Sequence, residues 1–249
     1  MTTLAGKTIL IIGGSSGIGY AVAKASLIAQ ADHVIIGSSN QQKIRAAITR
    51  LATELPSTGA AVQGKLTGEI VDEKDSASIR ALFARVGEVD HLVWRSGDRL
   101  RLGFPRIDLD ENKDSFDARF WGPFAAAQVA RIRPGGSITL TIGGAISRPR
   151  KGWSLMAGVF GAVDSLIRGL AVDLAPIRVN VVSPGLVKTE LWDGHAPEAK
   201  NKILEDTAKN LLVQHVADPD EIAEAYIFLM KCGYITGQRI EVDGGAKLV

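Results

Sequence analysis

Lys7-Thr8-Ile9-Leu10-Ile11-Ile12-Gly13-Gly14-Ser15-Ser16-Gly17-Ile18-Gly19 is the stretch that decides the fold. Residues 8–12 form an unbroken apolar run, as in a strand buried on both faces. A glycine-rich turn follows at once, and Tyr20 to Gln30 then carries a helical pattern. Strand, turn and helix make a cradle for phosphate. Glycines let the backbone approach an anion, and the helix start offers free N–H groups and the positive end of its dipole.

The same alternation continues outward. Apolar runs at 33–36, 60–66, 91–94, 137–142, 178–182 and 239–242 read as further strands. Helical patterns at 17–30, 41–55, 76–86, 112–131, 154–174 and 220–230 lie between them. Short apolar strands separated by helices predict an α/β fold: a Rossmann-like, doubly wound parallel sheet of about seven strands with helices on both faces. No repeat, low-complexity tract or linker interrupts it, so 1–249 is read as one domain. The longest irregular stretch, 188–217, is either a lid over the site or a static excursion.

Composition narrows the function classes. The 249 residues are 46% hydrophobic, enough for one sizeable core, and the net charge of +2 gives no reason to expect nucleic acid. Cys232 is the only cysteine, which excludes an internal disulfide and points to a reducing compartment. Residues 1–7 lack the basic and apolar segments of a signal peptide. No apolar run approaches the roughly 20 residues that span a bilayer. The expectation is a cytoplasmic protein without membrane or nucleic-acid partners. His33, His91, His195 and His215 show no metal-ligand spacing, and no metal site is expected.

Four segments in order carry a family likeness. Gly13, Gly17 and Gly19 have the spacing G-x-x-x-G-x-G. Val89-Asp90-His91-Leu92-Val93 precedes Trp94-Arg95-Ser96-Gly97, at the place of an Asn-Asn-Ala-Gly motif. Arg178 to Thr189 contains Ser183-Pro184-Gly185-Leu186-Val187-Lys188-Thr189. Ile235-Thr236-Gly237 to Val242-Asp243-Gly244-Gly245 closes the chain. The sequence resembles the short-chain dehydrogenase/reductases over essentially its whole length. That resemblance implies a dinucleotide held by Gly13, Ser15, Ser16, Gly17, Ile18 and Gly19, by Ser96 and Gly97, and by Pro184, Gly185, Val187 and Thr189. Glu69-Ile70-Val71-Asp72 takes the place of the family's Asp-Val segment beside the adenine, so Glu69 and Ile70 join the list.

The second strand ends Ile36-Gly37-Ser38-Ser39-Asn40, with no carboxylate at its tip. A carboxylate there binds the ribose 2′-hydroxyl of NAD, whereas hydroxyls and an amide can donate to a 2′-phosphate. Ser38, Ser39 and Asn40 therefore favour NADP(H). The same three residues also read as a helix cap.

The family's catalytic residues are absent from their places. Asp117-Ala118-Arg119-Phe120-Trp121-Gly122 resembles the family's Asp-x-Asn-x-x-Gly, which puts Arg119 at the Asn. Gly144 stands for the Ser, Ala157 for the Tyr and Gly161 for the Lys. Tyr20, Tyr226 and Tyr234 are the only tyrosines, so no shift of register restores the pair. Ala and Gly neither donate a proton nor tune one. In its Arg119 and Trp153-Ser154 regions the chain resembles the fungal malbrancheamide and paraherquamide reductase/Diels–Alderase branch. That likeness implies an NADP(H)-dependent oxidoreductase that reduces an imine, iminium or other small organic intermediate, with direction of a cyclisation as a further role. A non-redox pericyclase, isomerase or binding module, and a carbonyl reductase using Arg119 and water, stand as alternatives.

Arg119 is either a substrate-oxygen ligand or one half of a structural ion pair; Trp153 is either an apolar wall for a flat substrate or ordinary packing. Arg95, Arg99, Arg101, Arg148 and Arg150 crowd the loops after the fourth and fifth strands and either recognise an anionic substrate or carry solvated charge. Asp164 reads as a surface or interface residue, and His195 as a lid residue or an exposed one. The resemblance implies a homodimer or homotetramer packed through 112–131 and 154–174.

Overall fold

The computed structural model describes residues 3–55, 63–97, 100–194 and 196–249. Seven strands form one parallel sheet among these residues: β1 (Thr8–Ile12), β2 (His33–Ser38), β3 (Lys65–Ile70), β4 (Glu88–Trp94), β5 (Arg131–Thr141), β6 (Arg178–Pro184) and β7 (Arg239–Val242). Their order is β3-β2-β1-β4-β5-β6-β7. The connection reverses direction between β1 and β4, and in open α/β sheets ligands bind at that switch, above the C-terminal ends of the strands.

Helices α1 (Gly17–Ile28), α2 (Gln41–Glu54), α3 (Ser76–Val86), α4 (Gly122–Val129), α5 (Ser154–Asp173), α6 (Pro197–Asn210) and α7 (Pro219–Lys231) connect them. Side chains alternate across the sheet with period two, so each strand feeds two cores. Ile9, Ile11, Val34, Ile36 and Val93 pack against α1, α2 and α7. Leu10, Ile12, Ile35, Leu92 and Trp94 pack against α3, α4 and α5. The interior β1 is fully buried along Ile9–Ile12, which is why its sequence carries no polar alternation.

Three sequence expectations are corrected. The third strand is Lys65–Ile70, not 60–66; residues 60–62 lie outside the described residues. The predicted helix 112–131 is three pieces: a 3-10 turn at Asp110–Phe116, a π turn at Asp117–Trp121, and α4. Arg131 already opens β5, whose first residues pair with Glu88 and Val89 before a register shift restores pairing at His91. Finally, α5 has 20 residues and is apolar enough to cross a bilayer by length and composition. It is the sheet-facing helix, and Met156, Val159, Phe160, Val163, Ile167 and Leu170 bury its stripe.

Candidate functional site

The glycine turn is fixed from both sides. Gly13 donates to the Gly37 carbonyl at 2.9 Å, and Arg95 donates to the Ile12 carbonyl at 2.9 Å. Gly13 has φ +81° and Gly17 φ +50°, conformations that favour glycine. A Cβ on Gly19 would stand 2.1 Å from the Gly13 oxygen, and one on Gly13 would stand 2.8 Å from Ser96 N. Only glycine lets the turn close against the start of α1. The Ser16 side chain makes no cap bond there. These are the features a dinucleotide needs: close backbone approach and uncapped N–H groups at a helix start. Ile18 is buried, so it offers an anion only its backbone.

At the tip of β2, Ser38 lies 3.3 Å from the Ser15 hydroxyl and accepts from Asn40 N at 3.4 Å. Asn40 caps α2 by accepting from Lys43 N at 3.0 Å. Capping and phosphate recognition are compatible, because Ser39 and Asn40 are exposed and the Ser38 hydroxyl faces the glycine turn. On β3, the Glu69 carboxylate is held by Arg85 at 2.9 Å, and Arg85 also donates to the Ile70 carbonyl at 3.0 Å. The acid expected beside the adenine is thus engaged by an arginine. Glu69, Ile70, Gln41, Ser78 and Arg85 line a hollow of about 500 Å³.

The segment after β6 folds back over α1. Gly185 donates to the Val242 carbonyl at 2.9 Å, and a Cβ there would meet Asp243 Cα at 2.9 Å. Val187 bridges to Ala217, and the Trp192 indole N–H donates to the Val187 carbonyl at 3.0 Å. Thr189 Cγ2 and Glu190 Oε2 come within 3.2 and 3.4 Å of the Cβ position of Gly17. Of the four residues expected from this segment, the structure sets Thr189 against Gly17 of the cradle, while Gly185 packs on Asp243 and Val187 on Ala217. The rest of 188–217 is not irregular: it contains a 3-10 turn at Glu190–Trp192 and α6. His195 lies outside the described residues.

Above β4, β5 and α5 the arrangement is different. Arg119 emerges from the π turn, a helix form frequent at functional sites. A Cβ on Gly97 would stand 2.7 Å from its guanidinium carbon, and that carbon lies 5.5 Å from the centre of the Phe160 ring. Arg119 therefore spans from the end of β4 to α5. Its neighbours Phe116, Phe120, Trp121 and Phe124 form a chain of ring contacts. Gly144 and Gly161, which the sequence offered for the Ser and Lys, have room beside them: a Cβ on Gly144 would meet only the Pro184 oxygen at 3.9 Å, and one on Gly161 would meet nothing within 4 Å. Ala157 is half-buried. Trp153 begins α5 and packs on the core beneath that helix. The loops after β4 and β5 are joined where Gly103 donates to the Gly152 carbonyl at 2.9 Å.

The arginine crowd separates into distinct roles. Arg101 pairs with Asp114 at 3.5 Å, and Arg148 donates to the Ala246 carbonyl at 3.0 Å. Arg150 is exposed, and Arg99 lies outside the described residues. Arg95 differs again: its Nε is shut off from solvent without a hydrogen-bond partner, and its charge acts on Tyr226 of α7. That tyrosine is fully buried, its hydroxyl 2.7 Å from Thr141 Oγ1. Burial pushes its pKa up to about 12, against the opposing Thr141 hydrogen bond and Arg95 charge. A tyrosine distant in sequence thus reaches the ends of β4 and β5, but inside the core rather than in the crevice. Sequence reading named Arg95 and Ser96 but not their surroundings: it missed Tyr226, and it missed Glu73, to which Ser96 donates at 2.6 Å. Asp164 is engaged by Arg168 at 2.8 Å and Arg239 at 3.2 Å. No group of metal-binding side chains occurs among the described residues.

Comparison with known proteins agrees with this geometry. The family model described as an SDR-like Rossmann domain matches residues 1–249. The short-chain dehydrogenase/reductase fsr5 of Gibberella fujikuroi is 35% identical over 100% of this chain and 97% of its own length. The structure of the MalC reductase/Diels–Alderase from Malbranchea aurantiaca superimposes with a TM-score of 0.90 at 31% identity, covering 99% of this chain and 98% of that one. A small-chain dehydrogenase solved in complex with NADPH matches with a TM-score of 0.77 at 29% identity, over 98% of this chain and 99% of that one.

Proposed function

This chain belongs to the short-chain dehydrogenase/reductase family, and we propose that it is an NADP(H)-dependent oxidoreductase whose substrate is already electrophilic: an iminium, or an imine that arrives protonated. Its pocket also shapes that substrate for a cyclisation. The observation that carries this reading is the contrast at the crevice. The cradle is complete, while Gly144, Ala157 and Gly161 leave open space where a proton donor and its partners would stand.

The cradle fits the cofactor by its glycines, by the uncapped start of α1 and by the Ser15–Ser38 hydroxyl pair at the β2 tip. NADPH, when bound, supplies a hydride. A ketone reduced in this site would become an alkoxide and need a proton or an oxyanion partner. An iminium carbon takes a hydride as its C=N π pair moves to nitrogen. The product is a neutral amine, and no proton moves. What the chain must supply is position. Arg119, held between Gly97 and Phe160, binds a substrate oxygen or carboxylate and fixes its orientation. Trp153 and the aromatic run Phe116 to Phe124 provide flat apolar walls. The open volume over α5 admits a larger ring system than a Tyr and Lys would leave room for.

The fungal reductase/Diels–Alderase likeness supports the same reading. The assembly it fits is a homodimer or homotetramer, with exposed Trp121 and Val172 on the helices that would pack. Single-turnover mixing of NADPH-loaded protein with a cyclic iminium and, separately, with a ketone tests the function. Nucleotide oxidation with the iminium and none with the ketone is expected. Oxidation with neither removes the redox reading, and equal oxidation with both restores carbonyl reduction.

A further inference from the structure

We infer that Arg95 is a cofactor-binding residue whose guanidinium meets the diphosphate of the dinucleotide beside the glycine turn. The inference rests on the reading that this cradle holds NADP(H).

Arg95 follows β4 directly, with β1 as its neighbour in the sheet. The carbonyl carbon of Arg95 lies 3.1 Å from the Cβ position of Gly13, so its backbone and the turn are in contact. Alternation along β4 sends Leu92 and Trp94 to the α5 side and Val93 to the α1 side. Arg95 continues the Val93 side. The two groups whose charge reaches it, Tyr226 and Glu190, lie on that side as well.

Its charge is unanswered. The buried charges of Asp90 and Arg178 have partners. Asp90 accepts from Thr8 N at 2.8 Å, from Lys7 at 3.1 Å and from Arg133 at 2.7 Å. Arg178 donates to the Leu229 and Met230 carbonyls at 2.6 and 3.0 Å. Arg95 keeps some surface as a residue, yet its Nε is shut off from solvent and has no hydrogen-bond partner. Among the described residues no side-chain hydrogen bond or ion pair reaches it. Burial lowers its pKa, with Tyr226 and Glu190 opposing, but a guanidinium does not deprotonate in a protein. A buried unpaired cation is costly unless an anion arrives.

The neighbourhood selects the anion. The start of α1 presents free N–H groups and a positive dipole end to the same space. Glu190 does not fill the role: its carboxylate rests on Gly17 and leans toward Arg50 at 3.9 Å, outside ion-pair distance of Arg95. A diphosphate would lie on the glycine turn, which the backbone of Arg95 already touches, and it resists protonation at neutral pH.

Arg95→Met, which keeps bulk and removes charge, tests this with a titration and a melt. NADPH and NADH should both bind at least tenfold more weakly, by the same factor, because the diphosphate is common to them. Inorganic diphosphate should raise the melting temperature of the wild type and not of the variant. The unliganded variant should melt at or above the wild-type temperature, since a buried unpaired charge is gone. Unchanged affinity for both nucleotides overturns the inference. Loss confined to NADPH also overturns it, by assigning Arg95 to the 2′-phosphate. A lower unliganded melting temperature with unchanged affinity makes Arg95 structural. A wild type that binds neither dinucleotide fails the cofactor reading itself, whereas equal NADPH binding by wild type and variant fails only the role of Arg95.

Discussion

Two glycine-rich regions face each other across the crevice, and they are glycine-rich for opposite reasons. At the β1–α1 turn, an added Cβ on Gly13 or Gly19 would strike backbone at 2.8 or 2.1 Å. Around α5, an added Cβ on Gly144 or Gly161 has 3.9 Å or more to the nearest atom. The first set is demanded by close approach, which folding and anion binding both exploit. The second set is unconstrained by packing, and its smallness leaves volume. Glycine content alone does not distinguish the two; the distance to the nearest neighbour does.

The comparison breaks most readily at Gly19. Gly19→Ala forces the turn apart, and we expect loss of measurable NADPH binding with a melting temperature lowered by an overpacking cost of about 1–3 kcal/mol. Titration and thermal unfolding read both. A variant that binds normally would mean the turn relaxes freely, contrary to the backbone-to-backbone contact at Gly13.

The next effect belongs to the open side. Arg119→Ala should lower turnover on an iminium substrate by about 10²-fold, the scale of a misplaced substrate. Its NADPH dissociation constant should stay within about threefold of wild type, because the cradle is elsewhere. Parallel loss of both would merge the two regions into one.

The triple variant Gly144→Ser, Ala157→Tyr, Gly161→Lys sharpens the contrast further. It should fold with little change in melting temperature, because a Cβ at Gly144 or Gly161 meets nothing closer than 3.9 Å and Ala157 is only half-buried. Ketone reduction should emerge only when all three are present, since such groups act as a unit. Ala157→Tyr alone should recover nothing. A fall of many degrees on introducing the three would show that the opening is needed by the fold.

Ser38→Ala should weaken NADPH by about tenfold at most and leave NADH unchanged, the loss of one charge-assisted hydrogen bond of about 1.5 kcal/mol. Smallest of all, Gly158→Ala on the exposed side of α5, where a Cβ meets nothing within 4 Å, should stabilise the protein by about 0.5–1 kcal/mol.

Where local chemistry settles an element, the sequence is legible. β1, the glycine turn and α1 follow from an apolar run and residue types that permit only one turn. β7 and α3 fall where expected for the same reason. Legibility fails where distant residues arbitrate. The 112–131 pattern is helical throughout, but β4 takes Arg131 into the sheet, and the π turn that aims Arg119 leaves no mark in periodicity. Glu69 reads in sequence as a free carboxylate; its ion pair with Arg85, sixteen residues on, is set by the fold. That Gly144, Ala157 and Gly161 carry no acid, base or hydroxyl can be read from identities alone. That Tyr226 and Arg95 share one side of the sheet could not, because strand alternation and the packing of α7 set it together.

The helix α6 has no buried side chain, and the Val187–Ala217 bridge closes the base of its excursion. Such a segment contributes little to the cooperative unit, so its amides should exchange with deuterated solvent through local openings long before those of β1 or β4. It is also the cheapest part of the chain to rewrite. Substitutions along Pro197–Asn210 can reshape whatever α6 covers while the sheet, the turn and their shared core stay as they are. A family built this way can change what it admits faster than what it is made of.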